Sequence, residues 1–259
     1  MEWYMYLLIL GGGILTGFIN TLSGNGSVIS LPLLIFAGLP ANVANGTNRV
    51  GIMLQNLVGT ASFHQKKVLD VRGALILSVP AVVGSLAGAR IAADLDETIM
   101  RRVIGVVMVI MLILILTQPQ RWLHGETQSL QGIPKWWNFV VFFAIGLYGG
   151  FIQMGAGIFL LSGLVLGLGY NLVRANAVKV AINFLFTVAS LLVFQSSGQV
   201  EWIPGLVLAA GTAFGAWVAA RMAVEKGAVW VHRLLIFVVV LSAVYLLGIF
   251  EWTGRLLGL

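Results

Sequence analysis

Two glycine-rich interruptions and two basic residues carry most of the chemistry this sequence could perform. Ser23-Gly24-Asn25-Gly26-Ser27 cuts an apolar run with residues that favour turns and positive φ, so a helix is expected to break there. At bilayer depth, freed backbone groups are tolerated only where protein or a water-filled cavity satisfies them. A short helix starting at Ser27 would aim its first amides, carrying roughly half a positive charge, into the break. Gly155-Ala156-Gly157, beside Gln153 and ahead of a helix expected from Ile158, repeats the arrangement. The chemistry such a pair would do is capture of a small anion. Close helix packing is the other use of such glycines.

Arg49 and Lys179 each fall several residues into an apolar segment with no carboxylate nearby in the sequence. A cation at the centre of a span costs roughly 2.5 to 3.5 kcal/mol on insertion scales, so it tends to face a cavity or a bound anion. Snorkelling is the alternative, because both bases lie within two turns of a segment start and have long stems. Around Arg49 the neutral groups Asn45, Thr47, Asn48, Gln55 and Asn56 can bind an oxyanion, and around Lys179 the partner segment offers Arg174, Asn176 and Asn183. The expected substrate-binding set is therefore Ser23 to Ser27, Asn45, Thr47, Asn48, Arg49, Gln153, Gly155, Gly157, Asn176, Lys179 and Asn183.

The elements that must position these groups follow from composition. Of 259 residues 59% are hydrophobic and 9% charged, with a mean hydropathy of +0.98. A soluble domain is nearer a quarter charged, so the chain reads as an all-α integral membrane protein with no aqueous catalytic domain. At about 20 apolar residues per span there is room for eight to ten crossings. Apolar segments run over about Trp3 to Leu22, Val28 to Leu39, Val43 to Phe63, Val71 to Ala93 and Ile99 to Thr117. After a polar linker they resume over Trp136 to Gln153, Ile158 to Gly169, Val173 to Gln195, Trp202 to Val224 and Val229 to Phe250. Seven Trp residues, Trp3, Trp122, Trp136, Trp137, Trp202, Trp230 and Trp252, fall near segment ends, as an interfacial belt requires.

The second set of segments repeats the first. Gly24-Asn25-Gly26 aligns with Gly155-Ala156-Gly157, Arg49 with Lys179, Gly84 to Ala89 with Gly211 to Ala216, and Arg102 with Arg233. The expected organisation is a first transmembrane repeat over 1–117, a polar linker over 118–135 and a second repeat over 136–259, each repeat of four to five segments broken at its glycine motif. Five crossings per repeat would invert one repeat against the other, and four would make them parallel; inversion is the favoured reading. On either count the Lys and Arg distribution places the N-terminus outside. Gly84-xxx-Gly88 and Gly211-xxx-Gly215 read as helix contact surfaces.

Several classes are excluded or disfavoured. Cysteine is absent, which removes disulfides, thiolate metal sites and cysteine nucleophiles. His64, His124 and His232 are too scattered for a metal cluster, so neither metal nor cofactor is expected. The 15 Lys and Arg against 9 Asp and Glu give +6, but the bases are too dispersed for nucleic acid. The N-terminus lacks the basic start of a cleaved signal peptide. All nine acids lie in loops or at segment edges, which disfavours a carboxylate proton relay; a weak-acid substrate carrying its own proton, uncoupled flux or backbone-bound sodium remain open. No intramembrane spacing suggests a catalytic set, so the chain is not expected to be an enzyme.

Gly17-Phe18-Ile19-Asn20-Thr21-Leu22-Ser23-Gly24-Asn25-Gly26, Leu31-Pro32 and Pro40-Ala41-Asn42 through Asn48 resemble the first repeat of the sulfite exporter TauE/SafE family, also called the toluene sulfonate uptake permease family. Gly150 to Gly157 and Lys179 extend the resemblance across nearly the whole chain. In one departure, Asn25 stands where relatives often carry glycine. The resemblance implies a multi-pass carrier of sulfite, sulfonates or related sulfur oxyanions, in bacteria an inner-membrane protein, with the glycine breaks and the Thr47-Asn48 stretch bordering the substrate path. The leading expectation is a secondary transporter that binds its anion near the midplane between two repeats and alternates access. A non-transporting scaffold or anchor subunit is the alternative. The expected partners are the small anionic substrate and the lipid bilayer, with homo-oligomerisation open.

Overall fold

A computed structural model describes residues 2–23, 26–116 and 134–222. These form nine α-helices and no β-strand: α1 (Trp3–Ser23), α2 (Ser27–Phe36), α3 (Ala41–Gln65), α4 (Val71–Ala93), α5 (Glu97–Leu116), α6 (Trp136–Phe151), α7 (Ala156–Ser162), α8 (Leu172–Ser196) and α9 (Trp202–Met222). A π-helical turn, Gly163–Gly167, extends α7. Helix is the only open-chain solution for such apolar segments in oil, because each backbone bond closes within its own segment. Windows in α1, α4 and α8 are long and apolar enough by themselves to cross a bilayer, whereas α2 has 10 residues and α7 has 7. The tenth expected segment and residues 118–133 of the expected linker lie outside the described residues.

Helix ends fall where local chemistry stops them. Asp70 caps α4 by accepting the Gly73 amide at 3.0 Å, and Asn171 caps α8 by accepting the Arg174 amide at 2.9 Å. Ahead of α5, Asp96 accepts the Thr98 amide at 2.8 Å, which holds its carboxyl below the usual carboxylate range. Trp3, Trp136, Trp137 and Trp202 are exposed at the starts of α1, α6 and α9.

Two close seams assemble the helices. Along α4 and α6, a side chain at Gly84 would strike the Phe143 carbonyl, one at Gly88 the Leu147 carbonyl, and one at Gly150 the Ser85 carbonyl. Along α1 and α9, Gly17 lies on Thr212, Gly211 on the Leu10 carbonyl and Gly215 on the Ile14 carbonyl. Both small-residue motifs thus act as backbone contact surfaces. Residue numbers rise together along each seam, so both helix pairs run parallel. In contrast, Gly46 near the start of α3 presses on Gln199 beyond the end of α8, and Gly59 near the end of α3 lies on Val180, so α3 and α8 are antiparallel. Gly26 folds onto Thr16 and Asn20, and Gly12 onto Leu33, which doubles α2 back along α1.

Candidate functional site

Each glycine motif falls between two helices, the first between α1 and α2 and the second between α6 and α7. At the first, Asn20 Oδ1 accepts the Gly26 amide at 3.1 Å just before α2 begins at Ser27. Gly24 and Asn25 lie outside the described residues, as does the side chain of Ser23. At the second, the chain leaves α6 through Gln153 at φ 59° and Gly155 at φ 70°. Positive φ is ordinary for glycine and uncommon for glutamine, so Gln153 is held by its side chain. Its amide nitrogen donates to Asn183 Oδ1 at 3.1 Å and to Thr187 Oγ1, and its amide oxygen accepts from Arg49.

Arg49 takes neither of the routes expected for it. It is fully buried, does not reach the surface and does not line the cavity described below. Its Nη1 donates to the Gly149 carbonyl at 3.0 Å, to Gln153 Oε1 at 3.2 Å and to Ser190 Oγ at 2.8 Å, and its Nη2 donates to the Gly150 carbonyl. Its guanidinium carbon also stands 4.6 Å from the Phe194 ring centre. The break in α6 supplies these acceptors: an interrupted helix ends in unpaired carbonyls carrying roughly half a negative charge. A helix end therefore does for Arg49 what a carboxylate does elsewhere.

Lys179 is the opposite case. It is half-buried and lines a cavity of about 790 Å³ between the N-terminal helices α1 to α3 and the C-terminal helices α7 to α9. Among the described residues its ammonium has no hydrogen-bond or ion-pair partner; the two ion pairs found there, Arg90–Asp94 and Arg101–Glu97, join neighbouring turns of exposed helix. The cavity also takes in Ser27, Asn48, Gln153, Gly157, Asn176 and Asn183, seven expected site residues with Lys179. Asn45, Thr47, Gly26 and Gly155 stay outside its wall. No described carboxylate lines it.

Three residues on its wall hold a buried polar atom with no partner: Thr16 Oγ1, Ser30 Oγ and Asn48 Oδ1, on residues 2%, 1% and 1% exposed. Buried polar groups are normally paired, so these three are exceptions along the cavity wall. The sequence reading missed Thr16, Asn20 and Ser30, although Thr16 and Asn20 are one turn apart and Ser30 follows Ser27 by three positions. Their spacing, which puts each pair on one helix face, was the available signal.

Among the described residues, one mouth of the cavity lies at the end of α3. Toward the end of α3 its wall runs through Ser62 and Phe63 to exposed Lys66, with Leu172 and Val173 at the start of α8. On that side Tyr170 Oη donates to Asp70 Oδ2 at 2.7 Å, linking the α3–α4 turn to the segment before α8. Toward the start of α3 the described residues close the passage. Asn45 Nδ2 donates to the Phe151 carbonyl at 2.8 Å, the Glu201 amide to Thr47 Oγ1 at 2.9 Å, and Gln199 Nε2 to the Ala93 carbonyl at 2.9 Å. Arg49 lies in the same closed layer.

The comparisons with known proteins agree with a transport role. The sulfite exporter TauE/SafE family matches residues 9–246. A probable membrane transporter protein of Haemophilus influenzae is 27% identical over 243 residues, covering 93% of this chain and 94% of its own length. The probable membrane transporter protein YfcA of Escherichia coli K12 is 26% identical, covering 93% and 91%, and YunE of Bacillus subtilis, named in the same way, is 23% identical, covering 93% and 97%. No solved structure matches.

Proposed function

Because this chain belongs to the sulfite exporter TauE/SafE family of membrane proteins, we propose that it is a secondary transporter of small sulfur oxyanions, sulfite or an organosulfonate, with the anion bound at Lys179. One observation carries the reading: an ammonium with no partner among the described residues stands in a cavity that reaches exposed Lys66 beyond the end of α3, while described groups are hydrogen-bonded across the other end. A fixed cation in low dielectric has to find an anion or water, and Asn48 and Asn176, which line the same cavity, offer side-chain amides to an oxyanion.

Helix directions support alternating access by inverted repeats. If α1 to α5 correspond to α6 onward, α3 corresponds to α8, and equivalent helices related by an axis in the membrane plane run antiparallel, as these do. The same axis exchanges the α1–α9 seam with the α4–α6 seam, and both are parallel and glycine-lined. The mouth end carries Lys66, Lys67, Arg72, Lys135 and Arg174. By the positive-inside rule it faces the cytoplasm of a multi-pass protein in a bacterial inner membrane. No described carboxylate lines the cavity, which leaves downhill flux, a proton borne by the substrate itself or backbone-bound sodium as the ways to drive it.

Purified protein in liposomes loaded on one side with sulfite or an alkylsulfonate tests this. Anion flux is expected from the unaltered chain and about tenfold less from Lys179→Gln, the loss of roughly 1.4 kcal/mol of anion stabilisation. Equal flux from both proteins would contradict the assignment, and indifference to every anion would favour a scaffold.

A further inference from the structure

We infer that buried Arg49 acts on the substrate through two side-chain amides: by way of Gln153 it holds Asn183 with its N–H groups turned to the cavity, where they and the Lys179 ammonium grip the anion together. The inference rests on the transporter reading and adds to it a binding residue, Asn183, and a positioning residue, Gln153.

The direction of the chain is forced by its first member. A guanidinium has N–H donors and no acceptor, so the Gln153 amide has to turn its oxygen to Arg49, as it does at 3.2 Å. The Gln153 nitrogen then faces the other way, and whatever meets it must accept: Asn183 Oδ1 at 3.1 Å and Thr187 Oγ1. Asn183 thereby commits its oxygen. Its nitrogen, which carries two N–H groups, has no acceptor among the described residues, and Asn183 lines the cavity half-buried. A side chain that could have offered either end is left offering donors, the end that an oxyanion takes.

Two features suit this arrangement to an anion. Lys179 precedes Asn183 by four positions on α8, one turn along the same helix face, and both line the cavity. A point charge and a directed donor therefore border neighbouring stretches of one wall. The two amides are also aligned head to tail away from the cation, and hydrogen bonds in such a chain polarise one another in low dielectric. Part of the Arg49 charge is felt at the Asn183 N–H groups while Arg49 itself stays in its dry layer. Gln153, 3% exposed and at φ 59°, has little room to turn its amide over, so the orientation is set before an anion arrives.

Reversing the middle amide tests the chain. Gln153→Glu keeps an acceptor for Arg49 and loses the N–H groups, so Asn183 has to turn its nitrogen to the new carboxylate and its oxygen to the cavity. With sulfite and methanesulfonate as probes of the purified protein, Gln153→Glu should bind about tenfold more weakly the anion that the unaltered chain binds, with an unfolding midpoint no lower. Asn183→Ala should also lose about tenfold, water in the cavity taking up the freed Gln153 N–H. Asn183→Ser, which keeps an acceptor toward Gln153, replaces it with a smaller loss if Asn183→Ala does not fold. Combined, Gln153→Glu and Asn183→Ala should bind no more than about twofold worse than Asn183→Ala alone, because Gln153 acts only through Asn183.

A carboxylate that merely repelled the anion would weaken binding as much beside Asn183→Ala as without it, and that result overturns the relay. Binding that falls with Lys179→Gln and not with Asn183→Ala would also overturn it, making Asn183 a support for Gln153 alone and leaving the transporter reading in place. Binding of neither anion by the unaltered chain would overturn that reading, and the relay with it.

Discussion

The two ends of the central helix pair solve the same electrostatic problem in opposite ways. Each of α3 and α8 carries a base a few residues inside its start, and neither base has a carboxylate to answer it. At the start of α3, Arg49 is fully buried and answered by the carbonyls of an interrupted helix, a serine and an aromatic face. At the start of α8, Lys179 is answered by no described protein group and opens onto a cavity bordered by three residues that each bury an unpaired polar atom. A membrane-embedded cation is thus stabilised either by the protein, in which case it is part of the closure, or by what enters the cavity, in which case it is part of the site.

The strongest way to break this contrast is to remove each base and compare stability. Arg49→Ala strands the Gly149 and Gly150 carbonyls and Ser190 in a dry layer. Hydrogen bonds to a charged group contribute roughly 1.5 to 3 kcal/mol each, and partners re-form elsewhere in a membrane protein, so a net loss of about 3 kcal/mol is expected on unfolding in detergent. Lys179→Ala should cost under about 0.5 kcal/mol or stabilise, since it removes an unpaired charge. Equal losses would mean that Lys179 has a structural partner after all.

Next come the two glycine seams, which sharpen the comparison because they should not differ. Gly88→Ala and Gly215→Ala each place a methyl against a backbone carbonyl that cannot yield alone, so each should cost about 1 to 3 kcal/mol. Gly11→Ala in α1 meets no atom within 4 Å and should stay within about 0.5 kcal/mol. A large loss at one seam with none at the other would break the symmetry on which the proposed alternation depends.

Gln153 joins the two regions, bridging Arg49 on the closed side to Asn183 on the cavity wall and to buried Thr187. Gln153→Ala should lower stability by about 1 to 2 kcal/mol through unpaired buried groups and should also weaken anion flux; a change in stability with flux untouched would assign it to the closed layer alone. The smallest effect is expected at the mouth. Tyr170→Phe removes the bond to Asp70 at a cost of about 1 kcal/mol, read as a shift in the unfolding midpoint.

Much of this arrangement is legible in the residue order. Apolar run lengths place α1 to α9 to within a few residues, because a bilayer leaves the backbone no alternative to helix. The glycine clusters locate both breaks because few other residues tolerate them. What residue types cannot show is a partner that is backbone. The carbonyls of Gly149 and Gly150 answer Arg49 from 100 and 101 positions away, and every residue has a carbonyl, so the two bases look alike until the helix ends are in place. Thr16 and Ser30 hide for the reverse reason: single hydroxyls in apolar helices commonly bond their own preceding turn, and only the structure shows that these two do not.

Equilibrium binding of sulfite and of an alkylsulfonate to the purified protein, compared across the unaltered chain, Lys179→Arg and Lys179→Gln, bears most directly on the claim that an anion completes the site. The expected result is retained affinity with arginine and about tenfold weaker binding with glutamine, for at least one of the two anions. Undiminished binding by a folded Lys179→Gln protein would contradict it.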